Sequence, residues 1–162
     1  MPKTKSKTDK FDLMEYLQLY HNSKFNLYIK DSQLFQSGKG VYTHDYIPGN
    51  SFIDFYEGNL IEFIKGGIYY FQINDRLGID GFGPPRCYMA MLNDANFKPI
   101  NKGKGKGKGK SKDKQIPISN NFSNNCMFVT DEENLTVSIY SITDIEAGSE
   151  LFVSYGDSYW SN

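Results

Sequence analysis

The stretch Asp144-Ile145-Glu146-Ala147-Gly148-Ser149-Glu150-Leu151-Phe152-Val153-Ser154-Tyr155-Gly156-Asp157-Ser158-Tyr159-Trp160 decides how this chain is read. Its Ala147-Gly148 pair supplies a turn, and Glu150–Tyr155 follows as a short strand of apolar and aromatic residues. The same punctuation occurs upstream. In Asp45-Tyr46-Ile47-Pro48-Gly49-Asn50-Ser51-Phe52-Ile53-Asp54-Phe55-Tyr56-Glu57-Gly58, an Ile again runs through a Gly turn into a strand that closes near Tyr and Gly.

Outward from these two segments the pattern stays β. Phe25, Leu27 and Ile29 alternate with polar or amphipathic neighbours, as do Leu135, Val137 and Ile139, the period of a half-buried strand. Residues 60–64 and 67–73 are further short runs of β-formers. A helix is expected over 11–22, where Phe11, Met14, Leu17 and Tyr20 recur at helical spacing behind an Asp12 cap with Glu15 as its return partner. The expected domain is mainly β with few helices, spanning 23–160, after a basic, disordered tail at 1–10.

The 162 residues carry 18 basic and 19 acidic side chains, and 39% of them are hydrophobic. That is enough apolar surface for a core and too short a chain for several catalytic modules. Four lysines (Lys3, Lys5, Lys7, Lys10) sit in the tail, and seven more (Lys102 to Lys114, on alternate residues) sit in a Lys/Gly-rich insert at 97–121; the remainder is acidic by about −10. An acidic body draws a basic partner, although charge of this size also serves solubility. Charge repulsion and glycine entropy keep the insert out of any core. A solvated loop is the expectation there, with weak nucleic-acid contact as its alternative; no aromatic residue interleaves the lysines to stack on bases.

No apolar run approaches the roughly 18 residues of a spanning helix, so no membrane association is expected. The basic N-terminus lacks the apolar stretch of a secretory signal. Two cysteines, Cys87 and Cys126, are too few for a disulfide scaffold or a cysteine zinc site, and read as structural thiols in a reducing, intracellular compartment. No P-loop, HExxH or GxGxxG motif occurs. His21 and His44 read as surface residues without a matching nucleophile. Nothing points to a hydrolase.

What remains is 12 tyrosines and three separated motifs: Gly38-Lys39-Gly40-Val41-Tyr42; Met91-Leu92-Asn93-Asp94-Ala95, with Asn124-Asn125-Cys126 beyond the insert; and Gly148 through Gly156. In order and spacing these resemble the SET-domain lysine methyltransferases. Phe55-Tyr56-Glu57-Gly58 is similar to the family's Tyr-x-Gly-Glu segment, and Ala90–Ala95 to its Arg-Phe-Ile-Asn-His-Ser motif. The ending Gly156-Asp157-Ser158-Tyr159-Trp160 looks like the compact viral members.

The resemblance implies small curved sheets with a C-terminal pseudoknot that brings the Asn93 and Tyr155 segments together. It implies S-adenosylmethionine as methyl donor and no metal. Tyr155 and Tyr69 are then the catalytic-site tyrosines, and with Tyr159 they line the lysine channel. Gly38, Lys39, Gly40, Asn93, Asp94, Tyr155 and Trp160 are the implied cofactor contacts, Asn93 through its amide and Asp94 through its backbone. An apolar, aromatic channel suits the chemistry, since desolvation favours the neutral amine that attacks the sulfonium methyl. Aromatic faces hold the ammonium beforehand.

Asp94 stands where the family has His, and Ala95 where it has Ser. No cysteine-rich segment follows the domain, so Tyr159-Trp160 or the second copy of a homodimer is expected to close the channel. The expected substrate is a basic protein segment such as a histone tail, with the nucleus or a viral factory or virion as location. The rival is a catalytically inactive SET-like binding module; a nucleic-acid-binding β protein led by the insert is a third reading.

Overall fold

The structure is a computed structural model that describes residues 12–63, 67–96 and 121–160, excluding the side chains of Ser158 and Trp160. The expected tail at 1–10 and nearly all of the insert at 97–121 lie outside the described residues.

Among the described residues, nine short strands form three antiparallel sheets of three. In the first, β2 (Lys39–Thr43) lies between β1 (Leu27–Asp31) and β9 (Glu150–Leu151). Gly40 through Thr43 are all buried, as a strand covered on both faces must be. The second sheet has the order β3 (Phe52–Phe55), β8 (Thr136–Ser141), β7 (Cys126–Asp131). Here β8 alternates, with Val137, Ile139 and Ser141 buried and their neighbours half-buried, because side chains on a pleat point to opposite faces in turn. The third joins β4 (Asn59–Glu62), β6 (Leu77–Asp80) and β5 (Tyr70–Gln72). Val41, Ile47, Ile53, Val137, Ile139, Leu151 and Val153 are each fully buried and belong to one core. Each such side chain contributes roughly 1.5–3 kcal/mol by leaving water.

The two echoing turns pair with each other. Ile47 and Ile145 exchange backbone hydrogen bonds at 2.9 and 2.8 Å, and Asp144 accepts the Gly49 N–H at 2.8 Å. Beyond β9 the chain runs between two earlier segments and bonds to both. Val153 donates to the Asn93 carbonyl at 2.9 Å, while Cys126 donates to the Phe152 carbonyl, also at 2.9 Å. This is the expected threading of the C-terminus. The two sides of the insert are fastened beside it: Asn124 accepts the Ala95 N–H at 2.8 Å and donates to Asp94 at 3.0 Å.

The helix α1 covers only Leu13–Leu17, shorter than the expected 11–22. Asp12 does cap it, accepting the Met14 N–H at 2.9 Å. Gln18 then turns left-handed at φ 49° and ends it. Tyr20, expected on the helix, instead bridges to Cys87, and the Leu17 carbonyl accepts the Arg86 N–H at 3.1 Å. Backbone pairing with segment 86–88 thus outcompetes another helical turn. A second short helix, α2, spans Asp157–Trp160.

Candidate functional site

A cavity of about 550 Å³ opens where the threaded C-terminus meets the first and third sheets. Its volume lies in the range of pockets that enclose drug-sized ligands. Gly38, Lys39, Asn93, Asp94, Tyr69, Tyr155 and Tyr159 all contribute to its walls. Seven of the residues read from the sequence therefore meet around one space. Gly40 is not among the cavity-lining residues, and the Trp160 side chain lies outside those described.

Tyr155 is held at both ends. Its backbone N–H donates to Asp94 Oδ2 at 2.9 Å, and its phenol donates to the Leu92 carbonyl. Its ring meets that of Tyr159 edge-on at 4.9 Å. Burial, then the neighbouring Tyr159, Asp94 and Tyr69, holds the phenol well above its ordinary range. At neutral pH it is an uncharged donor with lone pairs to spare, not a base.

Tyr69 is fixed through its backbone. Its carbonyl accepts the Tyr56 hydroxyl at 2.6 Å and the Gly81 N–H at 2.8 Å. Tyr56, Phe71 and Phe128 continue the aromatic wall, with Phe71 and Phe128 at 4.6 Å between ring centroids.

A buried carboxylate that the sequence reading passed over joins β9 to Ser32, Gln33, Tyr42 and the cavity's Asn93. Glu150 is 2% exposed and accepts four hydrogen bonds: Ser32 Oγ at 2.7 Å, Gln33 N–H at 2.8 Å, Tyr42 hydroxyl at 3.0 Å and Asn93 Nδ2 at 3.2 Å. Donors of this number are what a buried carboxylate needs. A Cβ on Gly40 would sit 2.0 Å from Glu150 Oε1. The glycine thus makes room for the carboxylate, a role different from the expected close approach to a cofactor. Asn93 Nδ2 also donates to the Lys39 carbonyl at 2.9 Å, so its amide N–H groups tie Lys39 to Glu150.

Asp94 is 2% exposed, and besides Tyr155 it holds the Asn96 N–H at 2.8 Å and Asn124 Nδ2 at 3.0 Å. Its side chain therefore has work that the expectation of a backbone contact did not include. Ala95, also 2% exposed, packs with Leu34 and Phe152. The apolar face of α1 supplies Leu13, Met14 and Leu17 to the cavity, a cover that the sequence reading sought only in Tyr159-Trp160 or a second copy. The spacing of Met14 and Leu17 was the available signal, but helical periodicity does not say what the face packs on.

Both cysteines are buried and free, and burial pushes the Cys126 thiol up to about 12. Neither is poised as a nucleophile. His44 is exposed, but His21 is half-buried against Tyr88 with ring centroids 4.8 Å apart. The surface reading of His21 is corrected accordingly: the Tyr20–Cys87 bridge carries it against the core. Among the described residues, no cluster of three or more metal-binding side chains occurs, and no helix is long and apolar enough to cross a membrane.

A SET-domain profile matches residues 38–156, the span from the cavity's Gly38 to the glycine after Tyr155. The chain belongs to the SET-domain family, whose members use S-adenosylmethionine as methyl donor. No curated protein matches the sequence. Solved structures share its fold at low identity. One is the polycomb repressive complex 2 of Chaetomium thermophilum, at 20% identity and a TM-score of 0.56, over 82% of this chain and 15% of the other. Another, titled ctPRC2 in an autoinhibited conformation bound to S-adenosylmethionine, has 20% identity and a TM-score of 0.55 with the same coverage. An active polycomb repressive complex 2 in the stimulated state has 21% identity, a TM-score of 0.55 and again 82% and 15% coverage. This chain thus spans about 15% of the length of those neighbours.

Proposed function

We propose that the protein is an S-adenosylmethionine-dependent protein-lysine N-methyltransferase acting on a basic segment such as a histone tail. The observation that carries the reading is the threading of Tyr155 between Leu92 and Asp94, which sets it in one cavity with Tyr69, Tyr159, Gly38, Lys39 and Asn93.

Those residues fit the donor: a cavity of suitable volume whose lining combines the rings of Tyr69, Tyr155 and Tyr159 with Gly38, Lys39, Asn93 and Asp94. When bound, S-adenosylmethionine supplies a sulfonium methyl that a neutral amine can take in line. Gly38, Lys39, Asn93 and Asp94 would hold the donor. Tyr155, anchored at both ends, costs little reorganisation and presents a neutral phenol oxygen beside the reacting nitrogen. Tyr69 and Tyr159 wall the approach and exclude water, which favours the unprotonated lysine. The acidic balance outside the two lysine-rich segments suits a basic substrate and, with it, a nuclear or viral setting.

Of the departures that favour an inactive binding module, Asp94 holds the Tyr155 backbone N–H and Ala95 packs with Leu34 and Phe152; the fold accommodates both, which supports catalysis over that rival. A second copy remains part of the proposal as an added cover beside α1. The test is transfer of labelled methyl from S-adenosylmethionine to mixed core histones by wild type and Tyr155→Phe, with donor binding measured by calorimetry. Label on a lysine that falls sharply in the variant is the expected result. Donor binding without transfer to any histone overturns the histone assignment, and absence of both favours the binding module.

A further inference from the structure

Arg86 is a buried cation with no carboxylate partner among the described residues. It is 5% exposed, and its guanidinium carbon lies 4.0 Å from the Tyr69 ring centroid and 5.3 Å from that of Phe82. Nε donates to the Phe82 carbonyl at 2.7 Å, and Nη1 lies 3.6 Å from the Met91 sulfur. The ion pair among the described residues is Lys39–Asp31, so no carboxylate there lies within ion-pair distance of Arg86.

Two aromatic faces and one carbonyl offset part of the cost of burying this charge, but a thioether is a weak acceptor. The paired Nη groups, the side of the fork that grips a carboxylate in bidentate fashion, have no oxygen acceptor among the described residues. Arg86 lines the same cavity as Tyr69 and Tyr155. A buried guanidinium is retained at such a cost where an anion meets it.

We propose that Arg86 forms a carboxylate-binding subsite in the cavity wall. Two sources share that chemistry: the amino-acid end of the methyl donor, and an acidic side chain on the protein substrate beside its target lysine. The first depends on donor binding alone. The second rests on the lysine-methyltransferase reading.

Calorimetric titration of the full chain with S-adenosylmethionine and with its decarboxylated analogue separates them. A subsite for the donor makes wild type prefer the carboxylated molecule by about tenfold to a hundredfold. Arg86→Met then loses that preference and Arg86→Lys, which keeps the charge but not the fork, retains part. The second arm titrates N-acetylglutamate, with and without donor, followed by nuclear magnetic resonance. Shifts at cavity residues in wild type that vanish in Arg86→Met, beside an unaltered donor preference, assign the subsite to a substrate side chain. Absence of both responses overturns the proposal and leaves Arg86 as packing on Tyr69, a role that would move stability without moving carboxylate preference. Should Arg86→Met unfold, Arg86→Gln takes its place. A wild type that binds no donor defeats the donor reading, while the N-acetylglutamate arm still decides the subsite.

Discussion

The Asp94 carboxylate accepts the backbone N–H of Tyr155 at 2.9 Å across a separation of 61 residues. The same carboxylate holds Asn96 and Asn124 on either side of the insert. One side chain therefore joins the insert's two ends to a tyrosine of the cavity wall. Asp94→Ala is expected to cost about 3–5 kcal/mol in urea unfolding, since it leaves several buried donors unmet. Asp94→Asn, which keeps one acceptor oxygen, should cost less than half as much. Equal stability in all three proteins would show that this junction does not hold the threading.

Tyr155→Phe removes only the hydroxyl that donates to Leu92. The ring, its edge contact with Tyr159 and its backbone anchor remain. On the proposed function, in which the oxygen acts on the reacting centre and not on the donor's hold, methyl transfer should fall about a hundredfold with donor affinity changed less than about threefold. A parallel loss of affinity and rate would make Tyr155 a binding residue only.

Gly38 and Gly40 differ in what an added methyl meets. At Gly40 the Cβ would come 2.0 Å from Glu150 Oε1 and 3.3 Å from Asn93 Nδ2. Gly38 has open space, and only its φ of +69° opposes substitution. Gly40→Ala should therefore destabilise by roughly 2–4 kcal/mol as the Glu150 carboxylate is displaced from its donors, and should weaken donor binding with it. Gly38→Ala should cost about 1 kcal/mol. Chemical denaturation of the two variants checks the order, and the reverse order would remove Glu150 from its organising role.

Alkaline pH should weaken the fold in a defined window. Burial raises the Cys126 thiol from 9.0 to about 12 and also raises Cys87, Tyr56 and Tyr155. The folded chain thus keeps protons that the unfolded chain releases. The contribution of Cys126 is fully present below pH 9 and is lost between pH 9 and about 12. The urea midpoint should fall across that interval, and Cys126→Ala should flatten the fall. An unchanged slope in the variant would exclude Cys126 as its source.

Local pattern in the sequence carried the β character, the Asp12 cap and the turns at Pro48-Gly49 and Ala147-Gly148, because each depends on residues a few positions apart. The ordered motifs, through the resemblance to the SET-domain family, also pointed to the cavity's Gly38, Asn93 and Tyr155. Other features depended on distance in space. Helical periodicity predicted α1 to 22, but it could not register that segment 86–88 competes for the backbone of Leu17 and Tyr20. Glu150 read as a strand residue next to a turn; only the assembled sheets collect Ser32, Gln33, Tyr42 and Asn93 around it. Arg86 had no place in the sequence reading, and its stacking on Tyr69 appears only when the residue before β5 and the segment after β6 are brought together. Hydrogen bonds and burial are properties of groups that meet, and across a hundred residues a linear chain does not say which groups those are.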